Sequence, residues 1–198
     1  MPPRRDVLRT GAWAAAGAAT GHLRAATAQS QTLLILGGTG FLGPPLTEEA
    51  LRRGWKVTHF NRGKHAAGGV AGVETLIGDR RGELDSLRGR KWDAMVDDTG
   101  FVPKFVEMSA ELLAPNVGYC LFVSSTSVYA TYGPMKALCE QYSATAFKGR
   151  ASIVRSGYMV GPLDPSDRFT YWPVRASRGG EMLAPGTPRD PIQFNVGT

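Results

Sequence analysis

Thr32-Leu33-Leu34-Ile35-Leu36-Gly37-Gly38-Thr39-Gly40-Phe41-Leu42-Gly43 is the stretch that decides the fold. After Thr32 it is continuously apolar up to the first glycine, the pattern of a strand buried on both faces of a parallel sheet. Each glycine that follows has its own physical task. One makes the tight turn, one lets the backbone approach a diphosphate, and one allows close packing of helix on strand, with the phosphates at the helix N-terminus. Leu42, Leu46 and Ala50 then recur on one side of a helix that runs to Arg53-Gly54. Pro44 and Pro45 stand in its first turns, where a missing amide hydrogen costs little at Pro44 and more at Pro45. Lys56-Val57-Thr58-His59-Phe60 reads as the next strand. By itself a GxxGxxG is weak, but between a buried strand and a helix, with a second strand behind it, it marks a dinucleotide-binding βαβ unit.

Further units repeat this rhythm along the chain. Glu74-Thr75-Leu76-Ile77 reads as a short strand leading to Gly78-Asp79-Arg80, and Trp92-Asp93-Ala94-Met95-Val96-Asp97 as the next. Phe105, Met108 and Leu112 mark one face of a helix, and Tyr119-Cys120-Leu121-Phe122-Val123 is a fifth strand. A helix from about Tyr132 to Phe147 follows, and Ala151-Ser152-Ile153-Val154-Arg155 closes the series. Six strands alternating with helical segments predict an α/β fold built on a doubly wound parallel sheet.

The end of the second strand normally carries a carboxylate for the adenosine ribose. Asn61 and Arg62 stand there instead, with Lys64 close by. With no acid to accept from a 2′-hydroxyl and a guanidinium able to clamp a 2′-phosphate, the reading favours NADP, with NAD as the alternative.

Composition narrows the remaining classes. The 198 residues, 42% hydrophobic and 20% charged, describe a globular chain with enough length for a sizeable core. Two cysteines cannot make a disulfide framework, and three histidines offer no zinc-ligand spacing, so no metal site is expected. The net charge of +6 is divided: Arg4, Arg5, Arg9 and Arg24 against Asp6 give the first 28 residues +3, leaving +3 on the rest. That remainder has no strong electrostatic footprint, which argues against nucleic acid as a partner.

Residues 1–28 read as a leader. Paired Arg4-Arg5 followed by Val7-Leu8, an Ala- and Gly-rich middle and the small-x-small end Ala26-Thr27-Ala28 resemble a twin-arginine signal. The mature chain then starts near Gln29 in an exported, periplasmic protein, the alternative being a cytoplasmic protein with a basic N-terminus. The apolar stretch is too short, and too interrupted by His22 and Arg24, to span a bilayer.

Chemistry is concentrated after the fifth strand. Ser124-Ser125-Thr126-Ser127 lies at its carboxyl end, where ligands sit in such sheets, and Tyr132 and Lys136 are spaced i, i+4 on one helix face. An ammonium beside a tyrosine favours the phenolate, so Tyr132 becomes a proton donor or acceptor near neutral pH while Ser125 holds a substrate oxygen. Taken singly, Ser125 reads as a turn hydroxyl, Tyr132 as a half-buried aromatic and Lys136 as a surface cation. Cys120 and Cys139 read as core fillers, and His59 as a strand residue beside the cofactor. Phe169, Tyr171 and Trp172 either roof a substrate or pack the C-terminal segment onto the sheet.

Gly37-x-x-Gly40-Phe41-x-Gly43, Gly78-Asp79, Ser124-Ser125-Thr126-Ser127-Val128-Tyr129, Tyr132-x-x-x-Lys136 and Arg155-x-Gly157-x-x-x-Gly161-Pro162 together resemble the extended short-chain dehydrogenase/reductase family, the NAD(P)-dependent epimerases and dehydratases. The resemblance runs in order from about Thr32 to Phe194. It implies a Rossmann-type domain over 29–160 and a partial, incomplete substrate-binding region over 161–198, since relatives continue into further helices and strands. It also implies Ser125, Tyr132 and Lys136 as catalytic residues. Gly37, Gly40, Phe41, Leu42 and Gly43 would hold the cofactor together with Asn61, Arg62, Asp79 and Arg80, Asp79 lying near the adenine. The substrates implied are nucleotide sugars or related carbonyl and hydroxyl compounds. Two features depart from the family. Ser125 and Tyr132 are only seven residues apart, and Thr126-Ser127 stand where dehydratases carry Asp-Glu. The rival reading is a non-catalytic dinucleotide-binding module with a protein or RNA partner, Asn61-Arg62-Gly63 being similar to a branch that includes chloroplast RNA-binding relatives. Oligomeric state is left open.

Overall fold

The computed structural model describes residues 30–64, 70–129, 133–161, 164, 166, 169–181, 187, 189 and 194–196. The quoted apolar run forms β1 (Thr32–Leu36), and it lies inside the sheet because it pairs on both sides, with β2 (Lys56–Asn61) and β4 (Trp92–Asp97). β3 (Glu74–Ile77), β5 (Val117–Ser125) and β6 (Ala151–Ser156) complete a six-stranded sheet in the order β3-β2-β1-β4-β5-β6, parallel throughout. The strand order reverses between β1 and β4, and ligands of such sheets bind beyond the carboxyl ends of the strands at that point.

Side-chain alternation sends neighbours to opposite faces. Leu33 and Ile35 cluster with Ala50 of α1 (Gly43–Arg52), Val57 and Val96 on one face. Leu34 and Leu36 cluster with Met95, Cys120, Leu113 of α2 (Pro103–Leu113) and Phe147 of α3 (Gly133–Phe147) on the other. Each of these fully buried aliphatic side chains contributes about 1.5–3 kcal/mol. With α1 on one face and α2 and α3 on the other, the sheet is doubly wound, as the α/β reading expects.

Two details depart from the sequence reading. Strand and helix do not alternate regularly, because the β3–β4 connection carries only a 3₁₀ turn at Asp85–Leu87, whose Leu84 and Leu87 plug the sheet face in place of a helix. β5 is nine residues long where the apolar run has five. Its ladder to β4 reaches Trp92↔Val117 and its ladder to β6 reaches Ser125↔Ser156, so main-chain pairing continues through Gly118 and the serines, where the side-chain signal fades. Past β6, β7 (Tyr158–Val160) and β8 (Phe194–Val196) pair as a separate two-stranded parallel sheet, and α4 (Tyr171–Ser177) buries none of its residues. Among the described residues no helix is long and apolar enough to cross a membrane.

Candidate functional site

The loop at 37–43 joins β1 to α1 at the carboxyl edge. Gly37 has φ +102°, and a Cβ there would stand 2.2 Å from Thr99 Cγ2. A Cβ on Gly43 would stand 2.1 Å from the carbonyl oxygen of Gly38, so this position must be glycine for helix and turn to close. Gly40 is different, since the nearest atom to its missing Cβ is 3.6 Å away. The amides divide in the same way. Gly40 donates to Gly37 O at 2.9 Å and Gly43 to Gly40 O at 3.1 Å, whereas Gly38, Thr39, Phe41 and Leu42 find no acceptor among the described residues. Pro44 and Pro45 carry no amide hydrogen, so of these open donors Phe41 and Leu42 are the two that adjoin the positive end of α1.

A buried relay braces this loop from below. Thr47 Oγ1 lies 2.7 Å from both Gly43 O and His59 Nε2. Its single hydroxyl proton must go to the carbonyl, so the Nε2–H of His59 donates to Thr47, which fixes the tautomer. The imidazole also backs the turn, because a Cβ on Gly38 would fall 2.5 Å from His59 Cδ2. Burial pushes the His59 pKa down and keeps the ring neutral.

A cleft of about 560 Å³ opens between this loop and the ends of β2 and β3, walled on the far side by Phe101, Val102 and Phe105. Asn61, Arg62, Lys64, Asp79 and Arg80 all line it, together with Gly37 and Gly40. Asn61 Oδ1 accepts from the Gly63 amide at 2.8 Å, and Arg62 is exposed within electrostatic reach of Asp79. The Asp79 carboxylate accepts from the main chain and guanidinium of Arg81, which hold its pKa below the usual range. Arg80 turns inward. Its guanidinium grips both oxygens of Asp97 at 2.7 and 2.6 Å and donates to Ser109 at 2.6 Å, so its charge is spent on the floor of the cleft. The sequence places Arg80 among the cofactor residues and Asp97 only at a strand end, yet Asp97 is the partner that decides what Arg80 does.

Across the edge, Ser125 ends β5, and its hydroxyl accepts from the Ser127 amide at 3.1 Å. Tyr132 lies outside the described residues. Lys136, expected on a shared face with Tyr132, is only 4% exposed; its ammonium donates to Gly100 O at 2.7 Å and lies 4.8 and 4.7 Å from the Phe101 and Phe122 rings. Burial pushes its pKa down. One turn on, Glu140 accepts from Ser124 and from Arg155 at 2.6 Å, and the Arg155 guanidinium holds its pKa low. This clamp ties β5, α3 and β6 together beneath Ser125. No local spacing signals it, because Ser124 and Arg155 lie 16 and 15 residues from Glu140 along the chain. Another acid that reading passed over is Asp98, which stands beside Gly40. Cys120 and Cys139 are pushed up by burial to about 12 and about 11, as inert thiols.

No protein-family model matches the chain, and no curated protein does either. Solved structures do. WbmG of Bordetella bronchiseptica, solved in complex with NAD, superposes with a TM-score of 0.60 at 18% identity, over 77% of this chain and 62% of that one. A UDP-galactose 4-epimerase gives 0.58 at 20% identity, over 74% and 63%. A wide-type short-chain dehydrogenase/reductase of Veillonella parvula in complex with NADP gives 0.59 at 12%, over 69% and 73%. The chain thus spans less than two thirds of the length of the first two. What is shared at these identities is architecture, and the chain has the doubly wound Rossmann-type fold of the short-chain dehydrogenase/reductase and epimerase structures.

Proposed function

We propose that this chain binds NADP(H), with NAD as the weaker alternative, and that it belongs to an extended short-chain dehydrogenase/reductase acting by hydride transfer at a hydroxyl- or carbonyl-bearing carbon, as in a nucleotide sugar. The observation that carries the reading is the pair of open amides, Phe41 and Leu42, heading α1 at the sheet's switch point beside an uncrowded Gly40. A diphosphate is the ligand chemistry such a helix start accepts. Arg62 and Lys64 at the cleft rim favour a 2′-phosphate over a bare ribose, and the apolar wall of Phe101, Val102 and Phe105 suits a planar base.

When bound, the nicotinamide supplies the hydride donor or acceptor. The chain's own residues supply the rest. Ser125 holds the substrate oxygen at the end of β5, Tyr132 moves the proton at that oxygen, and Lys136 provides the positive charge that favours the phenolate. Glu140 and Arg155 keep β5, α3 and β6 in register so that Ser125 and Lys136 hold their places. The test is turnover linked to NADP across carbonyl compounds and sugar nucleotides. Tyr132→Phe abolishes it and leaves cofactor affinity within about threefold, a split that separates proton transfer from binding. Equal activity in the variant would overturn the assignment.

Residues 1–28 enter the same reading as a twin-arginine leader. A reporter fused behind them is exported, and replacing Arg4 and Arg5 with lysine stops it; export that survives the replacement refutes the assignment.

A further inference from the structure

Asp98 follows β4 at the carboxyl edge and has no part in the hydride chemistry proposed above. Its side chain crosses from the β4–α2 connection to the glycine loop, where Oδ2 lies 3.8 Å from the position a Cβ would take on Gly40. Open amides flank Gly40 on both sides, Gly38 and Thr39 before it and Phe41 and Leu42 after it, so an anion held by this loop is brought close to the carboxylate.

Among the described residues, two charged groups act on Asp98. Asp97 of β4 brings a second carboxylate, itself gripped by Arg80, and Lys136 of α3 brings an ammonium already committed to Gly100 O. The glycine loop contributes no titratable side chain. Among the described residues no hydrogen bond or ion pair holds the Asp98 carboxylate. Burial, and after it the charge of Asp97, push its pKa up to about 7, with Lys136 opposing. Ionised, Asp98 repels a diphosphate at the loop. Protonated, the same carboxyl becomes a donor to a phosphate oxygen.

We propose that seating a dinucleotide's diphosphate on this loop is coupled to uptake of one proton by Asp98, which makes Asp98 the residue that weakens ligand binding as pH rises. The inference rests on the dinucleotide reading of the cleft. The proton comes from solvent and leaves when the ligand does.

Calorimetric titration of the full chain with NAD and with NADP, at about pH 8 in buffers of different ionisation enthalpy, counts the protons. The NAD arm is needed because the 2′-phosphate of NADP itself titrates at about pH 6. Nearly one proton is taken up per NAD bound. Affinity for NAD falls about tenfold per pH unit above pH 7, and in Asp98→Asn both the uptake and the slope vanish. NAD binding without proton uptake, or uptake unchanged in Asp98→Asn, overturns the proposal while leaving the cleft reading intact. If the wild-type chain binds neither dinucleotide at any pH, the cleft reading falls and takes the proposal with it. Should Asp98→Asn not fold, the wild-type proton count decides alone.

Discussion

Replacing Arg80 with methionine isolates the work of the buried guanidinium. Its side chain is 11% exposed and that of Asp97 2%, and the two meet through paired hydrogen bonds of 2.7 and 2.6 Å. Methionine fills much of the same volume but leaves the Asp97 carboxylate with the Thr99 amide, at 3.1 Å, as its remaining donor among the described residues. Removing one partner of such a buried pair costs about 3–5 kcal/mol. At ~2–4 °C per kcal/mol for a chain of this size, the unfolding midpoint falls by roughly 6–20 °C. Adding Asp97→Asn to Arg80→Met neutralises the orphan and recovers most of the loss, an interaction that a double-mutant cycle in urea measures directly. A loss under about 1 kcal/mol in Arg80→Met would refute the argument that this arginine is scaffold.

Three further expectations follow from the same geometry. Gly43→Ala places a Cβ 2.1 Å from the Gly38 carbonyl, which must move, so dinucleotide affinity falls by more than about tenfold in a fluorescence titration; unchanged affinity contradicts the loop assignment. Arg62→Ala raises the NADP dissociation constant about tenfold and leaves that for NAD unchanged, and equal effects on the two would remove the 2′-phosphate assignment. Glu140→Gln costs about 1–2 kcal/mol at neutral pH, discounted because Arg155 is 45% exposed. Since the folded pKa of Glu140 is depressed, that contribution is present above the ordinary carboxylate range and disappears as pH falls through the depressed value; urea unfolding at neutral and acid pH checks both halves.

Fold and site differ in how far they can be read from residues alone. The buried run at 32–36 with its glycine turn fixes β1, the loop and the start of α1, because continuous burial and close backbone approach leave few other choices for those residue types. Local pattern does not report the length of β5 or the 3₁₀ turn at Asp85–Leu87, since main-chain pairing set one and two leucines plugging the sheet set the other. In the site, the glycine loop and the cleft rim at Asn61 and Arg62 were legible. The destinations of Arg80 and Lys136 were not, because both depend on carboxylates and carbonyls, Asp97 and Gly100, brought close by the β4–α2 connection. A cation in a loop and a cation on a helix look alike in sequence whether they face solvent or a buried acid. Asp98 was passed over for the same reason, as its meaning comes from its distance to Gly40.

The central claim is that two main-chain amides at the head of α1 receive a diphosphate, and amide chemical shifts read it at those atoms. On addition of NADP to isotopically labelled protein, the Phe41 and Leu42 resonances move saturably and together, with smaller changes at residues of the sheet's amino edge such as Lys56. If saturating NADP and NAD both leave Phe41 and Leu42 where they were in well-folded protein, the account is wrong.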